Sequence, residues 1–361
     1  MLFYGQIYNN EIQSCYTIFF LILCSESLYT QLKYSNDFLQ IGAGARSFSL
    51  SKSVVASVDG PSSIYWNPSS LVEMQESSIE IMHAAYFGGI ANYDQISYVS
   101  KYEDGAAYGF MIIRLGIDDI MNTINLVDNN GNTDYDRITL FSVADYACLF
   151  SYAKSDVFLG FDVGGNAKII YRKIGSFANS YGIGFDISAQ KKINTWKFAA
   201  IIRDATSTYN TWIFDPDEYS DVYLSTGNEV PVNTSEVTIP SMQIGVSKLL
   251  FSNDIYKIHS ELDFDYYFDG LRNTLYSNKF FSVNPHFGSE FVYKDVFAFR
   301  FGLGDLIKNT DFIGEKYFTI KPSFGIGFDT KNIVIDYALA NFDTFQQGTF
   351  SHIVSLTYNF K

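Results

Sequence analysis

From Glu76 to its end the chain keeps returning to strict alternation of apolar and polar positions. Such a period of two marks a sheet whose faces meet different surroundings. Over 317–328, Phe318, Ile320, Phe324, Ile326 and Phe328 share one face, opposite Thr319, Lys321, Ser323, Gly325 and Gly327. Over 350–360, Val354, Leu356, Tyr358 and Phe360 oppose Ser351, Ser355, Thr357 and Asn359. Over 255–268, Tyr256, Ile258, Leu262, Phe264, Tyr266 and Phe268 oppose Lys257, His259, Glu261, Asp263 and Asp265. Over 157–171 the polar side carries Asp162, Asn166 and Lys168.

The pattern predicts fourteen strands, near 76–87, 93–102, 106–115, 137–153, 157–174, 180–190, 195–204, 238–250, 255–268, 284–293, 296–303, 316–328, 332–341 and 350–360. The connections at 103–105, 154–156, 191–194, 251–254, 294–295 and 330–331 are short. Those at 116–136, 175–179, 205–237, 269–283, 304–315 and 342–349 are mostly longer. A soluble β-sandwich alternates too, burying its apolar faces against each other. Here the segments are longer than the five or so residues usual in soluble strands. Aromatic residues gather toward their ends, and the polar faces mix charge with glycine. With short turns at one end and long loops at the other, this predicts an all-β fold, a transmembrane antiparallel β-barrel.

Composition agrees. The 361 residues include 33 Phe and 27 Tyr but only 7 Pro, the usage of a pleated, aromatic-rich sheet. A net charge of −14 argues against a nucleic-acid partner, whose phosphates need basic surface. Of the three cysteines, Cys15 and Cys24 bracket a ten-residue apolar run, leaving Cys148 alone in the body, which excludes a disulfide framework. That run is too short to span a bilayer and suits the core of an export signal over 1–27, although no Lys or Arg precedes it. Leu23-Cys24 also carries a hint of a lipoprotein acceptor.

Residues 42–71, GAGARSFSLSKSVVASVDGPSSIYWNPSSL, differ from the alternating strands after them. Small residues dominate, Gly42 and Gly44 permit close backbone approach, and Pro68 biases Asn67 toward an extended conformation. Trp66 reads as an apolar anchor whose N–H needs a partner, rather than as a ligand contact.

This stretch resembles the PorV/PorQ proteins, within the FadL-like outer-membrane transport barrels. The resemblance rests on Gly42-Ala43-Gly44-Ala45-Arg46, Ala56, Asp59, Tyr65-Trp66-Asn67-Pro68 and Leu71, and continues through the strand SSIEIMHAAYF. Two departures stand out: Ser51-Lys52 replaces the family's usual paired glycines, and Gly60-Pro61 follows Asp59 where a second acid is common. The resemblance implies a barrel of about fourteen strands, 76–361, plugged by a hatch over 28–75, with Gly42, Gly44, Arg46, Asp59, Trp66, Asn67 and Pro68 as its structural motif. It further implies a place in the outer membrane of a Gram-negative-type bacterium, among its lipids. It is compatible with two functions: transport of hydrophobic compounds, or binding of exported proteins as a type IX secretion accessory.

Enzyme chemistry is not expected. His83, His259, His286 and His352 fall in four strands without metal-ligand spacing, and no nucleophile elbow, phosphate loop or dinucleotide fingerprint occurs. No cofactor is implied. Glu261, Asp263 and Asp265 share a strand face and read as lumen-lining, with Asp336, Arg300, Lys321 and Lys168 as inward charges that pair inside. Loop 126–137 holds Asp128, Asn130, Asn132, Asp134 and Asp136, but Gly131 is misplaced for an EF-hand, and the stretch reads as a solvated loop. Loop 205–237 carries Trp212, Phe214, Tyr219 and Tyr223, as a folded cap or a binding surface would. A transporter predicts an apolar pocket at the mouth and a kink or gap in the wall; a secretion partner predicts exposed loop surface and no path.

Overall fold

The computed structural model describes residues 35–360 apart from 128–130, 217–219, 226, 228 and 341–350. The expected export signal, the first residues of the expected hatch, and Asp128, Asn130 and Tyr219 lie outside the described residues. The wall consists of β1 (Ser77–Tyr86), β2 (Ala91–Glu103), β3 (Ala106–Asn122), β4 (Thr139–Phe158), β5 (Phe161–Ile174), β6 (Ala178–Ile193) and β7 (Trp196–Arg203, resuming as Thr208–Phe214). It continues through β8 (Thr234–Thr238, resuming as Ser241–Ser252), β9 (Tyr256–Tyr267), β10 (Ser282–Tyr293), β11 (Phe297–Thr310), β12 (Lys316–Asp329), β13 (Ile333–Ala340) and β14 (Ser351–Phe360). Each strand pairs antiparallel with the next, and β14 returns to β1 from Ser77↔Phe360 to Ala85↔His352. The sheet is therefore a closed transmembrane barrel of fourteen strands without an edge, which satisfies its backbone internally.

The alternation sorts side chains as the chemistry requires. Ile81, Phe185 and Ile326 point out and are exposed, whereas Glu80, Asp186, Glu261, Asp263, Asp265 and Glu290 point in and are buried. Several boundaries differ from the pattern-based expectation. β3 runs on to Asn122, and β4 continues through the expected turn at 154–156 to reverse at Leu159–Gly160. Part of 205–237 is strand rather than loop. Trp212 is accordingly an inward, buried strand residue under the Arg172 guanidinium, 5.1 Å from its ring centre, and not an exposed loop aromatic. The reason is common to all: beyond the apolar band both faces of a strand meet polar surroundings, so the period of two fades while the hydrogen-bond ladder persists.

Residues 35–75 fill the lumen. Two short helices, α1 (Ala45–Ser49) and α2 (Ser63–Trp66), and a 3₁₀ turn, Pro68–Glu73, are joined by irregular chain. α1 packs against β11–β14, whose inward positions include Gly302, Gly325, Gly327, Ala338 and Ala340. The small residues are demanded by backbone proximity. A Cβ on Gly302 would lie 2.3 Å from the Leu50 carbonyl carbon, and one on Gly164 2.4 Å from the Ser69 nitrogen. Ser51 and Lys52 have φ of 51° and 66°. Both occupy the left-handed region that glycine adopts at least cost.

Gly164→Ala tests the fit between wall and hatch. We expect a loss of about 1–3 kcal/mol of stability, read as a lower urea midpoint of the purified barrel in lipid. An unchanged midpoint would show that the hatch does not press on β5.

Candidate functional site

The site is the seat of the hatch together with the stretch of wall beside it. Gly42 and Gly44, with φ of 120° and 74°, bring the chain against Trp66 and Ser62. Trp66 donates its indole N–H to Ala43 O at 2.7 Å, and Gly42 O accepts from the Tyr93 hydroxyl at 2.7 Å. Gly44 donates its N–H to Gln95 Oε1 at 3.1 Å. Asn67 donates to Val55 O at 2.9 Å and to Gln190 Oε1 at 3.1 Å, and Pro68 opens the 3₁₀ turn, where a missing N–H costs nothing. The next residue, Ser69, donates its N–H to Ser188 Oγ at 2.8 Å.

Arg46 reaches the opposite side of the barrel. Its Nε and Nη2 fork onto the two Glu290 oxygens at 3.1 and 2.9 Å. Arg300 shares Glu290 at 2.6 Å and binds Asp336 at 2.6 Å. Asp59 lies 3.6 Å from Arg46 and is otherwise exposed. Burial alone would lower the Arg46 pKa, but the Glu290 and Asp59 carboxylates hold it above its ordinary value. Asp263 accepts the N–H groups of Val54 and Val55 at 2.8 and 3.0 Å, and Glu261 that of Ala56 at 2.6 Å. These two carboxylates thus cap hatch backbone as well as line the lumen, and Asp265 instead faces His286, 3.0 Å away. The inward cations pair with other partners: Lys321 lies 3.9 Å from Asp305, and Lys168 sits between Asp186 and Asp204. His83 and His352 face outward, His259 and His286 lie apart on β9 and β10, and no metal-binding group of side chains occurs among the described residues.

The wall beside α2 is interrupted. Ile187 pairs with Ile202 and Ile183 with Tyr209, so three residues of β6, 184–186, face six of β7, 203–208. On the other side β8 skips from Thr238 to Ser241 through Ile239-Pro240, and Pro240 has no N–H to offer the ladder. Asp204 and Ser207 take φ of 53° and 60° to make the bulge. Polar side chains close it from inside: Lys168 Nζ lies 2.6 Å from Asp204 and 2.7 Å from Asp186, and Asp204 N–H donates to Asp186 at 2.8 Å. Arg203 caps Tyr65 O at 2.8 Å and stacks 4.2 Å over the Tyr65 ring. A cavity of about 470 Å³ opens at the short-turn end, lined by polar groups that include Arg46, Asp59, Glu80, Glu290 and Asp336.

Sequence reasoning singled out Arg46 without its partner Glu290, and missed Gln95, Arg203 and Asp204. Alternation could have flagged Glu290 and Gln95 as inward. Asp204 carries no such signal, because a bulge breaks the period that would reveal it.

No family model matches the sequence, and no curated protein does. Among solved structures, the Ralstonia pickettii toluene transporter TbuX superposes with a TM-score of 0.52 at 15% identity, over 89% of this chain and 99% of that one. The CymD monoaromatic hydrocarbon channel gives 0.54 at 13%, over 89% and 98%. A Pseudomonas aeruginosa FadL homologue gives 0.52 at 11%, over 88% and 98%. At these identities the likeness is one of fold.

Glu290→Ala should cost about 3–5 kcal/mol by removing the carboxylate that Arg46 and Arg300 share, leaving Arg300 only Asp336, and the double variant Arg46→Met/Glu290→Ala should cost less than the sum of the singles. Chemical denaturation of the four proteins, with hydrogen exchange over 45–59, would reveal the coupling; strict additivity would refute it.

Proposed function

We propose that the chain is an outer-membrane channel that admits small hydrophobic compounds and releases them sideways into the bilayer through the interrupted β7. The break in the wall at 203–208 is the observation that carries this reading. A straight path through the lumen is unfavourable for an apolar solute, since it would cross the buried charges of Glu261, Asp263, Arg46 and Glu290. A wide bulge, crossed by a backbone bond from Ala205 N–H to Phe185 O at 2.7 Å and backed by the aromatic rings of Tyr65 and Trp66, offers a shorter way out. The similar folds named as transporters of toluene and monoaromatic hydrocarbons support the same class of cargo. In this reading the short turns face the periplasm and the long loops the exterior. The Gly42–Leu71 motif supports placing the chain with PorV/PorQ proteins inside the FadL-like group. It serves as the hatch's fastening, with Gly42, Gly44, Arg46, Asp59, Trp66, Asn67 and Pro68 as structural residues rather than ligand contacts.

Deleting Ala205–Ser207 restores one-to-one pairing between β6 and β7 and leaves Asp204 alone opposite Ile239-Pro240 of β8. In host cells without a hydrocarbon channel of their own, the wild-type chain should accelerate uptake of radiolabelled toluene. The deletion should cut that gain at least tenfold while leaving a heat-modifiable, folded barrel. Equal uptake by both proteins would rule out the wall break as the exit. Exported proteins co-purifying from the native membrane, with no gain in toluene uptake, would favour the secretion role instead.

A further inference from the structure

The outward face of the barrel is uneven. Along β12 the outward side chains Phe318, Ile320, Phe324, Ile326 and Phe328 are all apolar and exposed. Ten residues separate the first from the last, about 33 Å along the strand and about 25 Å along the barrel axis at the usual tilt. Along β1 the apolar outward run is Ile79 and Ile81, and then His83 follows. From Ser77 to His83 is about 20 Å along the strand, and about 15 Å along the axis. On β2 only Ile96 separates Tyr98 from Asp94, and on β3 Phe110 and Ile112 separate Tyr108 from Arg114.

These polar outward residues form one row across the strands, because His83 pairs with Asp94 and Asp94 with Arg114. His83 Nδ1 lies 2.7 Å from Asp94, and Arg114 lies 3.5 Å from Asp94 and 3.9 Å from Asp118. Arg114 also donates to the Tyr146 hydroxyl at 3.4 Å. On the other flank His352 of β14 meets the Tyr337 hydroxyl of β13 at 2.6 Å. The side chains of His83 and Asp94 remain 59% and 42% exposed, so neither is tucked into the protein. Charge cannot sit in hydrocarbon in this state when water or headgroups are within reach.

We infer that the face formed by β13, β14 and β1–β3 binds lipid headgroups about 10 Å deeper than the face of β11–β12 does, and so thins the bilayer on one side of the barrel. The partner is the lipid surface itself. Paired acids and bases give the row little net charge, which suits zwitterionic and anionic headgroups with their water rather than a strongly charged ligand. The inference rests on the transmembrane reading, and is independent of what the barrel transports.

Spin labels at Ala85 and Ile320 sit at similar heights above the short turns, on the two faces, with Cys15, Cys24 and Cys148 replaced by Ala. In phosphatidylcholine vesicles of ordinary thickness, a water-soluble nickel chelate should relax the Ala85 label severalfold more than the Ile320 label, while oxygen relaxes Ile320 more. Adding His83→Leu, Asp94→Leu and Arg114→Leu should bring the Ala85 label to the values of Ile320. Matching oxygen-rich, nickel-poor profiles at both sites in the unaltered row would overturn the inference. Shielding of Ala85 from both reagents would overturn it in favour of a protein cover. Nickel access at both sites would instead show that the barrel does not span the vesicle membrane at all.

Discussion

A sheet standing in hydrocarbon must satisfy every backbone N–H and C=O within itself, and the rest of this structure depends on that constraint. It explains why β14 comes back to β1, and why strands continue where the side-chain pattern has already faded. It also explains how the wide bulge beside α2 is managed. Where β7 leaves the ladder, Asp204, Asp186 and Lys168 meet on the inner side, so the freed polar groups find partners in the lumen.

Closure creates a second problem, because a barrel this wide encloses more space than its own side chains fill. The hatch fills it with backbone as much as with side chains. Backbone in a lumen brings donors and acceptors that must be bonded. Wall residues answer them one by one: Asp263 and Glu261 take the N–H groups at 54–56, Gln95 that of Gly44, and Ser188 that of Ser69. The carboxylates that first read as a wet lining are therefore fastenings. Glycines at 164, 302 and 325 let hatch and wall approach, and Arg46 ties the far side through Glu290. The anchoring groups lie on strands all round the barrel, so the plug is held from several directions.

The outer surface obeys the same physics with the opposite sign. Apolar side chains face out where lipid tails lie, and the row His83–Asp94–Arg114 faces out where headgroups reach. The transport reading draws on the break in the wall, and the lipid reading on this row. They lie on different strands and make separate demands on the protein.

Much of the architecture was legible in the chain itself. Period-two alternation identified fourteen strands and their inward faces, because each residue on a barrel strand meets either lipid or lumen, and the two solvents select different side chains. Alternation over 255–268 placed Glu261 and Asp263 inside, and the small-residue run from Gly42 to Leu71 marked a segment built unlike the wall. What alternation cannot state is who meets whom. Arg46 and Glu290 are 244 residues apart, and Asn67 and Gln190 are 123 apart. Their contacts depend on how the hatch is threaded through a closed sheet, which no local period encodes. The bulge at Asp204, the burial of Trp212 and the left-handed backbone of Ser51 and Lys52 were decided there too, where packing overrode local preference.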